Sequence, residues 1–170
     1  FLDLQLLNVL AIAPTQSGKT GSMLSSIYYC LQNQLLYVPP ENIFIITAHS
    51  SREWLEQTRQ RFPPFMANQI FHRNTLPKFQ KRMQDLNNAI IIVDEMQNLN
   101  FHELDSVITR IGQDCRVIFS GDYYQSDFRE GYERDGIQRF LRIVERLKNF
   151  SVITFGWDDI VRSDFLRDYI

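Results

Sequence analysis

Short apolar, β-branched runs alternate with segments of helical period along almost the whole chain. The runs are Leu7 to Ala13, Ile43 to Thr47, Ala89 to Val93, Arg116 to Phe119 and Val152 to Phe155. Each is nearly continuous in apolar character, as expected for central strands covered on both faces. Between them, Met23, Leu24, Ile27, Tyr28 and Leu31 make one apolar stripe, and Ile137, Phe140, Leu141, Val144 and Leu147 make another. Leu104, Val107, Ile108 and Ile111 repeat at i, i+3, i+4 and i+7, and Gly112 stands where a C-terminal cap would fall. Asn100 with Glu103 reads as a capping pair opening that helix, and Ser50 with Glu53 as the opening of the helix before it. The stretch from Pro63 to Leu86 is less regular, with a short strand over Gln69 to Phe71 and a short helix over Lys78 to Leu86.

Strands that alternate with helices call for a parallel sheet with helices on both faces. The predicted class is therefore α/β, a three-layer arrangement. At 170 residues the chain suits one domain, and no internal repeat or low-complexity linker divides it. The first residue is Phe1 rather than Met, which leaves open a piece of a longer protein.

Composition narrows the classes without choosing among them. Hydrophobic content of 44% and charged content of 22% are ordinary for a globular chain. The longest apolar runs are too short to cross a bilayer, and no charged-then-apolar leader precedes the first strand, so a cytoplasmic protein is expected. Cys30 and Cys115 share no ligand spacing and read as buried reduced thiols. His49, His72 and His102 are likewise unrelated in spacing, so no metal site made by histidine is expected. A net charge of −2 argues against a grip on nucleic acid by overall charge, while a local basic groove remains open.

The first strand runs into Ala13-Pro14-Thr15-Gln16-Ser17-Gly18-Lys19-Thr20, followed by a helix. This is the phosphate-binding pattern GxxxxGK[ST], the Walker A motif, with alanine in place of the first glycine. A tight loop of this kind turns successive backbone N–H groups inward, and the helix N-terminus adds its partial positive charge. Gly18 lets the backbone approach the phosphates. Lys19 is the residue to reach the β- and γ-phosphates, and the Thr20 hydroxyl is suited to the shell of a magnesium ion. The expected architecture is thus a RecA-like P-loop NTPase core, with a nucleoside triphosphate and Mg2+ as its cofactors; no base-reading residue is identified, so the choice of ATP rests on family resemblance.

The third strand ends in Asp94-Glu95-Met96-Gln97. Two carboxylates after a buried strand are costly unless they act at the C-terminal edge of the sheet, where open α/β sheets bind ligands. Asp94 fits the Walker B acid that holds magnesium, and Glu95 the general base that activates the attacking water. The second carboxylate favours hydrolysis over phosphoryl transfer to a small molecule. In hydrolases with this pair, the fourth strand inserts between the P-loop strand and the acidic strand, bringing a polar residue near the γ-phosphate. Gln125, after Ser120-Gly121-Asp122, is the candidate sensor, with Asp122 shaping the turn; a plain Gly-Asp turn is the equal alternative on local grounds.

Residues 88–170 resemble the C-terminal half of the PhoH-like ATPases carried by tailed phages, through NAIIIVDEMQNLNFHELDSVITRIG, CRVIFSGDYYQSDF, ERDGIQRFLRIVERL and WDDIVRSDFLRDYI. The resemblance implies a core like that of superfamily 1 helicases, ATP binding, a link to RNA or single-stranded DNA, and in some relatives a hexameric ring. If the chain is viral, its cytoplasm is that of an infected host cell. The first half departs from the pattern. PhoH-like loops usually read Gly-Thr-Ala-Gly-Thr-Gly-Lys-Thr, and TQSGKTGSMLSSIYYCL, NIFIITAHSSREWLEQTRQRF and IFHRN are more similar to helicase-like proteins of large DNA viruses.

By the same resemblance, Arg162 matches an arginine that would stabilise charge on the transferring phosphoryl group, within one subunit or across a boundary. A surface ion pair is an equal alternative. Thr47 to Ser50 ends the second strand, where helicases touch the nucleic-acid backbone, with Arg52 and Arg73 as helpers; a helix cap and arginines on a solvated face are the simpler reading. Aromatic residues make up 13% of the chain, and Tyr123 and Tyr124 are placed to stack on bases, although core packing is the default for most aromatics. The leading expectation is an ATPase coupled to RNA or single-stranded DNA. An ATP-dependent homo-oligomerisation switch and a small-molecule phosphotransferase are the alternatives.

Overall fold

Apolar runs separated by helices cannot turn back as hairpins, so they pair in parallel through crossovers. The computed structural model, which describes residues 8–12, 19–32, 37–48, 51–84, 86–122 and 131–155, has this form. Its strands are β1 (Asn8–Ile12), β2 (Ile43–Thr47), β3 (Ile70–His72), β4 (Ile90–Asp94), β5 (Arg116–Gly121) and β6 (Phe150–Thr154). They form a six-stranded sheet in the order β3-β2-β4-β5-β1-β6, every pairing parallel. The helices are α1 (Lys19–Gln32), α2 (Arg52–Arg61), α3 (Leu76–Met83), α4 (Phe101–Ile108) and α5 (Gly131–Val144).

Because side chains alternate along a strand, β2, β4 and β5 each feed two cores. Ile43, Ile45, Ile90 and Ile92 pack with Met23, Ile27 and Cys30 of α1 and with Phe62 and Met66. Phe44, Ile46, Ile91, Val93, Val117 and Phe119 pack with residues of α3, α4 and α5, among them Phe79, Leu104, Val107, Ile137 and Phe140. This is the three-layer α/β arrangement of a RecA-like core. The side chains of Ile43 to Ile46 and Ile91 to Val93 are fully buried. Each contributes about 1.5–3 kcal/mol by leaving water.

The Asn100–Glu103 capping box is present as expected: the Glu103 N–H donates to Asn100 Oδ1 at 3.0 Å, and the Asn100 N–H to Glu103 Oε2 at 2.8 Å. Both cysteines are buried and free. Burial pushes the Cys30 thiol up, against the smaller opposing pull of the Arg116 charge.

Several local expectations are corrected. Ser51, not Ser50, caps α2, its hydroxyl accepting from the Trp54 N–H at 3.2 Å; Ser50 lies outside the described residues. Gly112 is not the cap of α4. That helix ends at Ile108, and the tightened turns after it bond the Arg110 and Ile111 N–H groups back to Val107 and Ile108. Gly112 is needed for a close approach instead, since a Cβ there would overlap the Leu86 carbonyl. In α1, Tyr28 is 54% exposed and Cys30 takes its place in the buried stripe. Leu147 falls beyond α5 and is 40% exposed. The strand around Val152 starts two residues earlier than its apolar run and is not a central strand, because among the described residues β6 pairs only with β1.

Candidate functional site

All six strands point the same way, so their C-terminal ends share one edge of the sheet. At that edge β1 stops at Ile12. Residues 13–18, the loop of the phosphate-binding motif (Ala13, Pro14, Thr15, Gln16, Ser17 and Gly18), lie outside the described residues, and the backbone resumes at Lys19 as the first residue of α1. The Lys19 side chain is also outside them. Thr20, the second helical residue, is half-buried. The first turn of α1 carries no acidic residue, so the positive end of the helix dipole is not offset there and suits an anion.

β5 lies between β1 and β4, the insertion expected from the acidic pair. The alternation that places Ile90 and Ile92 on the α1 face places Asp94 on it as well. In register, Thr47 of β2 pairs with Asp94. One step beyond the paired Val93 and Phe119, Asp94 stands beside Ser120, which pairs with Ala11 of β1. A row of Thr47, Asp94 and Ser120 therefore crosses the edge on the α1 face. Thr47 and Ser120 are 1% and 2% exposed, and the Ser120 Oγ is buried with no hydrogen-bond partner among the described residues. Neither hydroxyl was singled out as part of the catalytic centre from the sequence. A hydroxyl one residue before a Gly-Asp turn carries no signal until the strand order is known.

Asp94 and Glu95 are both half-buried. The Glu95 N–H donates to Asp94 Oδ1 at 3.0 Å, and the Asp94 carbonyl accepts from the Ala48 N–H at 3.0 Å, locking the end of β4 to the end of β2. Glu95 itself is left-handed, at φ 55 and ψ 40, a conformation costing a non-glycine residue about 1–2 kcal/mol. It opens a 3-10 turn over Met96 to Asn98. Within that turn sits a residue to which no role was assigned from the sequence. Gln97, 2% exposed, donates from Nε2 to Glu95 Oε2 at 2.6 Å and accepts at Oε1 from the Asp122 N–H at 3.1 Å. Two positions after the acidic pair, a glutamine was visible in the sequence, but its partner at Asp122 was not.

The remaining candidates fare differently. Gln125, Tyr123, Tyr124, Arg162 and His49 lie outside the described residues. Thr47 and Ala48 are each 1% exposed, so neither is available to a polymer. Arg52 is exposed at the start of α2. Arg73 is half-buried rather than fully on a solvated face: its Nε donates to Glu103 Oε1 at 2.7 Å, with the two side chains 27% and 23% exposed. That pair ties the turn after β3 to α4.

The acidic strand β4 thus stands two places from β1, which leads into the phosphate-binding motif, with β5 between them. Residues 61–170 match the family described as PhoH-like protein. The chain belongs to the PhoH-like family. Protein PhoH of Escherichia coli (strain K12) is 33% identical over 82 residues, which are 48% of this chain and 23% of that protein. The PhoH-like protein of Synechocystis is 33% identical over 91 residues, 54% of this chain and 27% of that one. Protein PhoH2 of Thermobispora bispora is 37% identical over 89 residues, 52% and 19% respectively. The chain thus spans about a quarter of the length of these PhoH relatives. Among solved structures, the large terminase from a thermophilic bacteriophage superposes with a TM-score of 0.57 at 11% identity, covering 96% of this chain and 44% of that one. At that identity the likeness is one of fold. Family and fold together support a nucleotide-binding P-loop ATPase domain. The PhoH-like match begins after residues 13–20, so the phosphate loop rests on its own motif and on its place in the topology. Among the described residues, no helix is long and apolar enough to cross a membrane.

Proposed function

We propose that this PhoH-like domain binds ATP with magnesium, hydrolyses it, and couples that hydrolysis to single-stranded RNA or DNA. The observation that carries the catalytic reading is the convergence of one helix start and one strand end. Lys19 and Thr20 begin α1 and Asp94 ends β4 at the same sheet edge and on the same face, with β5 between β1 and β4. A hydroxyl and a carboxylate are hard oxygen donors, which suit a small divalent cation. When bound, that cation would neutralise charge on the phosphates.

The other roles belong to the chain's own residues. The loop from Ala13 to Gly18, through its backbone N–H groups other than at Pro14, which has none, and the start of α1 would hold the phosphates, with Lys19 adding its charge. Glu95 would accept a proton from the attacking water as the water's oxygen bonds to the γ-phosphorus. Gln125 would contact the γ-phosphate, and Arg162 would stabilise the charge that develops as the bond to ADP breaks.

The polymer reading is supported by charge distribution. Between Arg52 and Gln84, Arg52, Arg59, Arg61, Lys78, Lys81 and Arg82 stand against Glu53 and Glu56, Arg59 being paired with Glu56 and Arg73 with Glu103, within a chain of net charge −2. This basic segment flanks the edge strand β3 and fits a phosphate backbone. Phosphate release, measured with a panel of RNA and DNA single strands, tests both parts. Stimulation that weakens as salt rises is expected. Release of phosphate that ignores every polymer overturns the coupling, and no release at all overturns the ATPase assignment. Sedimentation with and without ATP tests the alternative of a homo-oligomerisation switch, whose signature is assembly that depends on nucleotide and not on polymer.

A further inference from the structure

We propose that Gln97 is a positioning residue for hydrolysis, one that aims the Glu95 carboxylate and ties that aim to the backbone at the end of β5. This rests on the reading of Glu95 as the general base.

A primary amide that is 2% exposed is costly unless its polar atoms are bonded. Those of Gln97 are used on two different elements. Nε2 donates to Glu95 Oε2 at 2.6 Å, and Oε1 accepts from the Asp122 N–H at 3.1 Å. The orientation of the amide is fixed by its partners, because turning it over would set an oxygen against a carboxylate and an NH2 against an N–H. β5 is shaped around this group. At Gly121 a Cβ would overlap Gln97 Oε1 and stand 2.8 Å from Met96 Cγ, so only glycine allows the strand to come this close.

Glu95 meanwhile occupies a left-handed backbone conformation, φ 55, that a free chain seldom adopts. Its main chain is held by Asp94 and one of its carboxylate oxygens by Gln97. A shift of the Gly121–Asp122 backbone moves Oε1, and the rigid amide plane carries that shift to the donor on Glu95. The base is therefore aimed by a main-chain N–H at the end of β5, 25 residues beyond Gln97 in sequence, across a single side chain.

The experiment is a double-mutant cycle on the full chain, with turnover of ATP in the presence of magnesium read as kcat and KM separately. Gln97→Met keeps the approximate volume and removes both hydrogen bonds. It is expected to lower kcat by about 10- to 100-fold, the cost of misplacing a catalytic group by roughly an ångström, with the KM for ATP held within about twofold. In a Glu95→Gln background, single-turnover measurement should show little or no further loss, because the group being aimed is gone. Gly121→Ala reaches the same contact from the other side and should reproduce the kcat loss and its non-additivity; it serves if Gln97→Met lacks a cooperative melting transition. If Glu95→Gln is slow but the Gln97 or Gly121 loss recurs in full on top of it, the residue is structural and the proposal is overturned while the general base stands. An unchanged kcat in both variants overturns it too. If Glu95→Gln turns over at the normal rate, or the chain releases no phosphate, the general-base reading fails and takes this proposal with it.

Discussion

Ile90 to Val93 and the residues from Asp94 to Asn98 are consecutive in the chain and built by different rules. The first four are aliphatic, regular in backbone and at most 2% exposed, each filling one of two cores. The next five pass from half-buried at Asp94 and Glu95 to buried at Met96, Gln97 and Asn98, and are polar at four positions. They include a left-handed glutamate, a carboxylate bonded to the following main-chain N–H, and an amide shared between two elements. Burial in the first stretch stabilises the fold through apolar contact. In the second it holds polar groups in directions they would not keep in water, and the local strain is offset by the strand that precedes it. Stability and chemistry are thus separated by a single peptide bond.

That separation can be broken from either side. The largest effect is expected from Glu95→Gln, which should slow ATP turnover by about 10²- to 10⁴-fold, as for loss of a general base, with little change in melting temperature. A normal rate in this variant would falsify the assignment of the base. Ile91→Ala is the mirror case. Ile91 is fully buried, and its truncation should cost about 2–5 kcal/mol in chemical denaturation, with kcat per folded molecule unchanged. If kcat fell with stability, strand and turn would not be separable. Lys19→Ala addresses the other end of the site and should weaken nucleotide binding roughly 10- to 100-fold by calorimetry, the loss of a charge-assisted contact, without altering the melting temperature of the nucleotide-free chain.

The smallest expected effect concerns His72, at the C-terminal end of β3 two strands from Asp94. Burial lowers the imidazole below its ordinary range, helped by the nearby charges of Arg59 and Lys78, and its Nδ1 accepts from the Asn74 N–H at 3.2 Å. The unfolded chain therefore binds this proton more readily than the folded one. The contribution of His72 to stability is present above the ordinary histidine value, about 6.5, and declines as pH falls below it. Urea melts between pH 7.5 and 5.5 should flatten in His72→Asn, whose side chain can still cap the turn. An identical slope in the variant would assign the pH dependence elsewhere.

How much of this was readable before the fold was known differs between neighbouring residues. The β4 run was legible to within a residue because four consecutive aliphatics allow little else than a doubly covered strand. The capping box at Asn100 and Glu103 was legible because its two hydrogen bonds close within one turn. The start of α2 was missed by one residue, since Ser50 and Ser51 offer the same hydroxyl and only the backbone angles choose between them. Gly112 was misread for a different reason. A glycine after a helix commonly caps it, whereas this one makes room for the Leu86 carbonyl, a contact that no pattern near residue 112 encodes.

The same division runs through the whole molecule. Residue types and their near neighbours specify strands, helix starts, the phosphate-binding motif and the acidic pair, because those features depend on side-chain period, backbone preference and bonds that span a few residues. Strand order beyond the insertion of β5, the sheet edges at β3 and β6, the hydroxyls flanking Asp94, and the reach of Gln97 to the main chain of Asp122 came from packing. They join residues that the chain leaves far apart, and such pairings are set by which surfaces bury together, a quantity that belongs to the folded molecule and to no segment of it.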